Sequence, residues 1–187
     1  MNGETKTFCL DLKKVMVICL ERTQDAVAGC LFMAEAAAHY AASGKTLFEA
    51  LDDIYKKYSY HNELQVSINL KGESGLRMIQ KIMDVVRNAA GRFTANVPAV
   101  YTDIQTSEIT KYNADGSIAS KEKSTLPSSN VLTFDYGDRW FCLRPSGTEP
   151  KIKIYFGGIA DNLDTAHDKA IKLKEEVVGK IMPIIKK

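Results

Sequence analysis

Trp140-Phe-Cys-Leu-Arg-Pro-Ser-Gly-Thr-Glu-Pro-Lys-Ile-Lys-Ile-Tyr-Phe156 reads as a strand, a tight loop and a second strand. The runs Arg139–Leu143 and Lys151–Phe156 carry the apolar and β-branched residues that suit pleated backbone. Between them stand Arg144, Ser146, Gly147 and Thr148, with Lys153 just beyond. Arginine presents a planar fork of donors that fits a phosphate or carboxylate in bidentate fashion. The hydroxyls of Ser146 and Thr148 add donors, and Gly147 lets main-chain N–H groups turn inward around an anion. Pro145 and Pro150 fix φ at both shoulders, which lowers the entropy lost when a ligand orders the loop. Proline, serine and glycine also build ordinary turns, so the composition alone serves a plain strand connection equally well. The chemistry points to an oxyanion cradle for a phosphate monoester.

Working outward, Val131–Tyr136 and Arg139–Leu143 flank Gly137-Asp138 as a hairpin, and Glu108–Tyr112 pairs with Ser117–Ser120 across Asn113-Ala-Asp-Gly116. Lys121–Asn130, polar and holding Pro127, is expected to be a loop. A strand near Val97–Ile104 precedes these hairpins, and Leu64–Leu70 alternates apolar and polar residues as a half-buried strand does. Ser74 is placed to cap a helix reaching about Ala90, with Leu76, Ile79, Met83 and Val86 inward. The last helix runs from an Asp161 or Asn162 cap to about Met182, burying Leu163, Ala166, Ala170, Leu173, Val177 and Ile181, and Pro183 should stop it or leave only a frayed end. Residues 60–187 therefore predict an α+β fold: a two-layer antiparallel sheet with two long helices. Upstream, Gln24–Ser43 has Val27, Cys30, Leu31, Ala34, Ala38 and Ala41 at helical spacing, ending at Gly44. Thr46 and Glu49 form a capping box for Leu47–Tyr58, whose apolar face holds Leu51, Ile54 and Tyr55. The small-residue face of the first helix calls for a packing partner that no preceding sheet supplies. Ser59–Glu63 reads as a short polar linker, a candidate hinge.

A chain of 187 residues, 45% hydrophobic and 26% charged, has the composition of a globular protein with one sizeable core. A net charge of +2, with no basic and aromatic stripe, gives no case for nucleic acid or a membrane surface. Phe8–Leu20 is too short and too charged for a span. Cys9, Cys19, Cys30 and Cys142 show no metal-ligand spacing and read as small buried hydrophobes in a reducing compartment. Asp52-Asp53 and Glu175-Glu176 sit beside lysines as solvated faces, and His167 reads as a surface histidine.

The Trp140–Phe156 string closely resembles the phosphate-binding loop in the last domain of the α-D-phosphohexomutases, the phosphoglucomutases and phosphomannomutases. Leu126-Pro-Ser-Ser-Asn-Val-Leu-Thr-Phe134 is similar to the strand before that loop, and Gln24-Asp-Ala-Val27 and Ala34-Glu-Ala-Ala-Ala-His-Tyr40 resemble the end of the third domain. The resemblance implies residues 22–59 as the helical tail of domain 3 and residues 60–187 as a C-terminal phosphate-binding domain, with a fold like half of a TATA-binding protein. Residues 1–21 match nothing in the family and stay unassigned, with disorder or truncation as the readings. It implies that Arg144, Ser146, Gly147, Thr148 and Lys153 bind substrate phosphate, with Glu149 facing away or paired to a cation.

Enzymes of the family interconvert hexose 1-phosphate and 6-phosphate through a phosphoserine and a bisphosphorylated intermediate. The resemblance thus implies a phosphosugar substrate, N-terminal domains as partners and Mg²⁺ in the full-length parent, while the cysteine usage fits a cytoplasmic location. No serine here stands in a T-x-S-H-N-P context and no D-G-D-x-D-R occurs. Gly3-Glu4-Thr5-Lys6 is only faintly similar to the family's sugar loop. By itself the chain is expected to bind no metal, hold no catalytic residue and turn over nothing. The rivals are a stand-alone phosphosugar-binding module without chemistry and, less favoured, a nucleic-acid-binding module on a TATA-binding-like sheet.

Overall fold

A computed structural model of the protein describes residues 18–20, 23–93, 96–147 and 149–185. The chain divides between Lys57 and Tyr58 into two compact units.

The first unit holds a short antiparallel pair, β1 (Ile18–Leu20) and β2 (Thr23–Asp25), then α1 (Ala26–Ala42) and α2 (Leu47–Tyr58). The expectation for residues 1–21 lies outside the described residues except where β1 forms. Between the helices Lys45 N donates to Tyr40 O at 2.9 Å, across Gly44 at φ 73°. The capping box is present: Thr46 N donates to Glu49 Oε2 at 2.7 Å, and Glu49 N donates back to Thr46 Oγ1 at 3.2 Å. Those bonds from Thr46 hold the Glu49 carboxyl below its usual range. The apolar face of α1, read from sequence as wanting a packing partner, is open: Val27 is 80% exposed and Leu31 69% exposed, and on α2 Phe48 is 86% exposed. Cys30 is exposed as well, against the expectation of a buried thiol. Cys9 and the side chain of Cys19 lie outside the described residues.

The second unit is a seven-stranded antiparallel sheet with helices α3 (Gly72–Asn88), α4 (Ala90–Phe93) and α5 (Leu163–Ile185). Its strands are β3 (Tyr60–Asn69), β4 (Ala99–Asp103), β5 (Glu108–Tyr112), β6 (Ile118–Lys123), β7 (Leu132–Asp135), β8 (Arg139–Pro145) and β9 (Lys151–Ala160). They lie in the order β3-β9-β8-β7-β4-β5-β6. The predicted α+β class and the hairpins are as observed. At the Asn113–Gly116 turn, Gly116 takes φ 81°, the left-handed region where a Cβ is costly.

Alternate residues face the helices, as the pleat requires. Phe141 and Leu143, Ile152, Ile154 and Phe156, and Leu132 and Phe134 join Ile79, Ile82, Met83, Val86, Leu173, Val177 and Ile181 in one core. Phe134 and Phe141 stack at 4.4 Å between ring centroids, nearly parallel at 7°. Gly158 lets α5 sit directly on β9, since a Cβ there would lie 2.0 Å from the Ala166 carbonyl oxygen.

Several boundaries differ from expectation for physical reasons. Ser59–Glu63 is not a linker: β3 starts at Tyr60 and pairs with β9 from Tyr60↔Ala160 onward, leaving Ser59 alone at φ 78° to break from α2. Lys121–Lys123 belong to β6, held by cross-strand pairs such as Lys121 with Glu108 at 2.8 Å. Ser74 lies inside α3, whose N-cap is Lys71 without a side-chain cap. Leu76 and Leu163 are exposed: the buried stripe of α3 runs through Gly75, and that of α5 begins one turn later than expected, at Ala166. Asn162 is the N-cap of α5, accepting from Thr165 N at 2.8 Å. Pro183 does not end that helix, since Ile184 and Ile185 pack on the core and keep the last turn helical.

Candidate functional site

The expected site falls where β8 and β9 meet. Arg144, near the end of β8, stands directly opposite Lys153 on β9. Lys153 in turn stands opposite Ser67 on β3. Directly opposed side chains point to the same face with Cβ atoms about 4.5–5.5 Å apart. That face is the one away from the core, because the neighbours Leu143, Ile152 and Ile154 point inward. Ser67, Lys153 and Arg144 therefore form one row across three strands. The Arg144 side chain is exposed and Lys153 half-buried. No ion pair of Lys153 occurs among the described residues.

The loop between these strands is closed by its own backbone. Ser146 N donates to Lys151 O at 2.9 Å, and Lys151 N donates to Glu149 O at 2.7 Å. Leu70 N donates to Pro150 O at 2.8 Å, tying the loop to the end of β3 just before α3 begins. The Ser146 amide is thus committed to closing the loop, whereas its half-buried side chain adjoins the Arg144 strand end. Lys151 is ion-paired with Glu149, so the loop carboxylate is neutralised locally instead of confronting an anion. Thr148 lies outside the described residues.

Gly147 is informative because nothing internal requires it. It is exposed, it is not among the residues at positive φ, and a Cβ built there would meet nothing within 4 Å. Turn geometry and packing would both accept alanine. The space a side chain would occupy lies outside the protein, where a ligand could approach the backbone.

Behind the row the same face closes over. Cys142 and Tyr155 form the next cross-strand pair, and both are buried. Burial pushes the Cys142 thiol up to about 12, partly countered by the positive charge of Arg144. Trp140 lies over Gly157, which leaves room for the indole that any side chain would displace. These aromatics flank the row on one side. The acidic pairs are likewise solvated: Asp52 pairs with Lys56 at 2.6 Å and Glu176 with Lys180 at 2.7 Å. His167 is exposed, its Nδ1 3.2 Å from Asn62 Oδ1. Among the described residues no group of three or more His, Cys, Asp or Glu is placed to hold a metal ion.

A family model described as phosphoglucomutase/phosphomannomutase, C-terminal domain, matches residues 66–170, a stretch spanning β3 to the first turns of α5. The chain belongs to the phosphoglucomutase/phosphomannomutase family. It is 34% identical over 149 residues to a phosphoglucomutase of Staphylococcus aureus, an alignment covering 79% of this chain and 26% of the relative. It is 32% identical over 123 residues to a phosphoglucomutase of Staphylococcus saprophyticus, covering 65% of this chain and 22% of that relative. A phosphoglucomutase of Staphylococcus haemolyticus is 29% identical over 121 residues, with coverages of 65% and 22%. The chain thus spans about a quarter of the length of these relatives. No helix among the described residues is long and apolar enough to cross a membrane.

Sequence reasoning about the loop did not single out Ser67, which is far away in sequence. The signal that could have found it is the pairing register of β3 on β9, which a single sequence leaves open.

Proposed function

We propose that residues 60–187 clamp the phosphate of a phosphosugar on behalf of a phosphoglucomutase-like enzyme. The observation that carries the reading is the pairing of Arg144 with Lys153 at the neck of a closed loop whose glycine has no internal purpose. Two cations on strand ends, with hydroxyl donors beside them, suit a dianionic ester. Phosphoryl transfer depends chiefly on positioning and charge neutralisation, and a clamp on the non-reacting phosphate supplies both. Arg144, Ser146, Gly147, Thr148 and Lys153 would make the contacts.

On this reading residues 22–59 are the helical tail of a preceding domain. The open apolar faces of α1 and α2 support that assignment, since Leu31 and Phe48 call for cover. The serine that carries phosphate through the bisphosphorylated intermediate, and the Mg²⁺ beside it, would belong to other domains of a cytoplasmic parent. The chain alone would bind phosphosugar weakly and catalyse nothing.

The test is titration of the 187-residue chain with glucose 6-phosphate, followed by calorimetry or amide NMR. Arg144→Ala should weaken binding about 10- to 150-fold, the equivalent of 1.5–3 kcal/mol for a hydrogen bond to a charged group. Unchanged affinity in Arg144→Ala would refute the clamp.

A further inference from the structure

Ser67 stands on the edge strand β3, in register with Lys153 and hence in line with Arg144. Its side chain is exposed on the same face as theirs. The rows on either side offer less to an anion on β8 and β9. Tyr155 and Cys142 are buried in one, and in the other Lys151 opposite Asn69 is held by Glu149. The Ser67–Lys153–Arg144 row is the one that sets an exposed hydroxyl in register with two cations.

The hydroxyl's own bonding points the same way. Gln65 Nε2 donates to Ser67 Oγ at 2.9 Å. A serine hydroxyl has one proton to give and two lone pairs. With a lone pair taken by the Gln65 amide, the proton remains to be donated, and among the described residues it has no acceptor. The amide's donation also polarises the O–H and makes it a better donor. An anion above the row would receive the fork of Arg144, the ammonium of Lys153 and this hydroxyl. Strands lie about 4.7–4.9 Å apart, so the three Cα positions span roughly 10 Å. Long cationic side chains can lean inward over that width, while the short serine contributes from the floor at the β3 side.

We propose that Ser67 is a further ligand of the bound phosphate, its hydroxyl donating to a phosphate oxygen and Gln65 orienting it. This rests on the clamp reading above. The test titrates the full chain and its variants with inorganic phosphate and, separately, with glucose 6-phosphate. Ser67→Ala should weaken both by about 10-fold, the low end for a hydrogen bond to a charged acceptor. Ser67→Thr should restore most of the affinity, and Ser67→Asp should weaken it further by like-charge repulsion. Amide shifts of Ser67 on phosphate addition should accompany binding. If Ser67→Ala binds both ligands like wild type while Arg144→Ala and Lys153→Ala lose them, the role of Ser67 is overturned and the clamp stands. A loss seen with glucose 6-phosphate alone also overturns it, since the hydroxyl would then be reading the sugar. If wild type binds neither ligand, or if neither cation matters, both readings fall together. Ser67 is exposed at a sheet edge, so its variants should fold as wild type does, and far-ultraviolet circular dichroism checks this.

Discussion

Replacing Gly158 by alanine tests the seating of α5 on the sheet. The new Cβ would lie 2.0 Å from the carbonyl oxygen of Ala166 and 2.9 Å from the amide nitrogen of Ala170, both backbone atoms of the helix. Neither can rotate away, so relief requires the helix to lift by more than 1 Å. Lifting by that much forfeits about half or more of each contact's attraction wherever the gap is not refilled by local adjustment. The buried residues on that face are Ala166, Ala170, Leu173, Val177 and Ile181. Overpacking of this kind costs about 1–3 kcal/mol and here belongs at the top of the range. The better backbone propensity of alanine offsets roughly 0.5–1 kcal/mol, leaving a net loss of about 2 kcal/mol. Gly179→Ala, on the same helix with nothing within 4 Å, is the control and should stabilise by roughly 0.5–1 kcal/mol. Urea unfolding followed by fluorescence of Trp140, the chain's one tryptophan, reports on the second unit specifically. A Gly158→Ala midpoint equal to wild type would refute the contact and the position of α5 with it.

Three other variants probe separate features. Asp103 is buried and accepts from Arg87 Nε at 2.7 Å and from Gln105 N at 3.0 Å. Arg87→Ala should therefore cost about 3 kcal/mol in urea unfolding, with Arg87→Met/Asp103→Leu recovering much of it. Asn162→Ala should cost about 1 kcal/mol by removing the α5 cap, while Asn162→Asp keeps it, as thermal melts would reveal. Iodoacetamide at pH 8 should label exposed Cys30 and spare buried Cys142, read by peptide mass spectrometry. Because the folded Cys142 thiol titrates near 12 instead of 9.0, its share of stability is complete below pH 9 and falls above it. The slope is about 1.4 kcal/mol per pH unit. Cys142→Ala should flatten stability between pH 9 and 10, before the raised Tyr101, Tyr112 and Tyr136 groups contribute.

Much of the fold could be read from local pattern where one force dominated. The Asn113–Gly116 turn, the α2 capping box and the inward stripe of α5 from Ala166 onward depend on neighbours in sequence, and each is present. Structure departs from local pattern where distant packing decides. Tyr60–Glu63 looked polar enough for a linker, yet pairing with Gly157–Ala160 makes it strand. Pro183 carries a local stop signal that the burial of Ile184 and Ile185 overrides. Ser74 offered a good cap, but the helix starts earlier, with Gly75 pressed against Leu70. The loop at 144–150 was conspicuous because its composition is chemical as well as structural. Ser67 carries no such mark, since an isolated serine on a strand gains its meaning only from what stands opposite.

The placement of the cations bears on how such a loop can work. A site held on rigid elements keeps its geometry better than one held on a loop. Lys153 is fixed by two ladders, since β9 lies between β3 and β8 and pairs with both. Arg144 precedes Pro145, which closes β8 opposite Ile152 and restrains the backbone where the strand gives way to the loop. The sheet thus carries the charges and the loop need carry only small groups: a hydroxyl, an open glycine and a carboxylate already paired with Lys151. On the proposed reading, an anion would meet cations whose backbone positions are fixed in advance by the sheet, which lowers the ordering entropy that opposes binding. That division of labour makes a distinct demand on mutation. Gly147→Ala should leave stability untouched and weaken phosphate binding, whereas changes to the β9 ladder should weaken both.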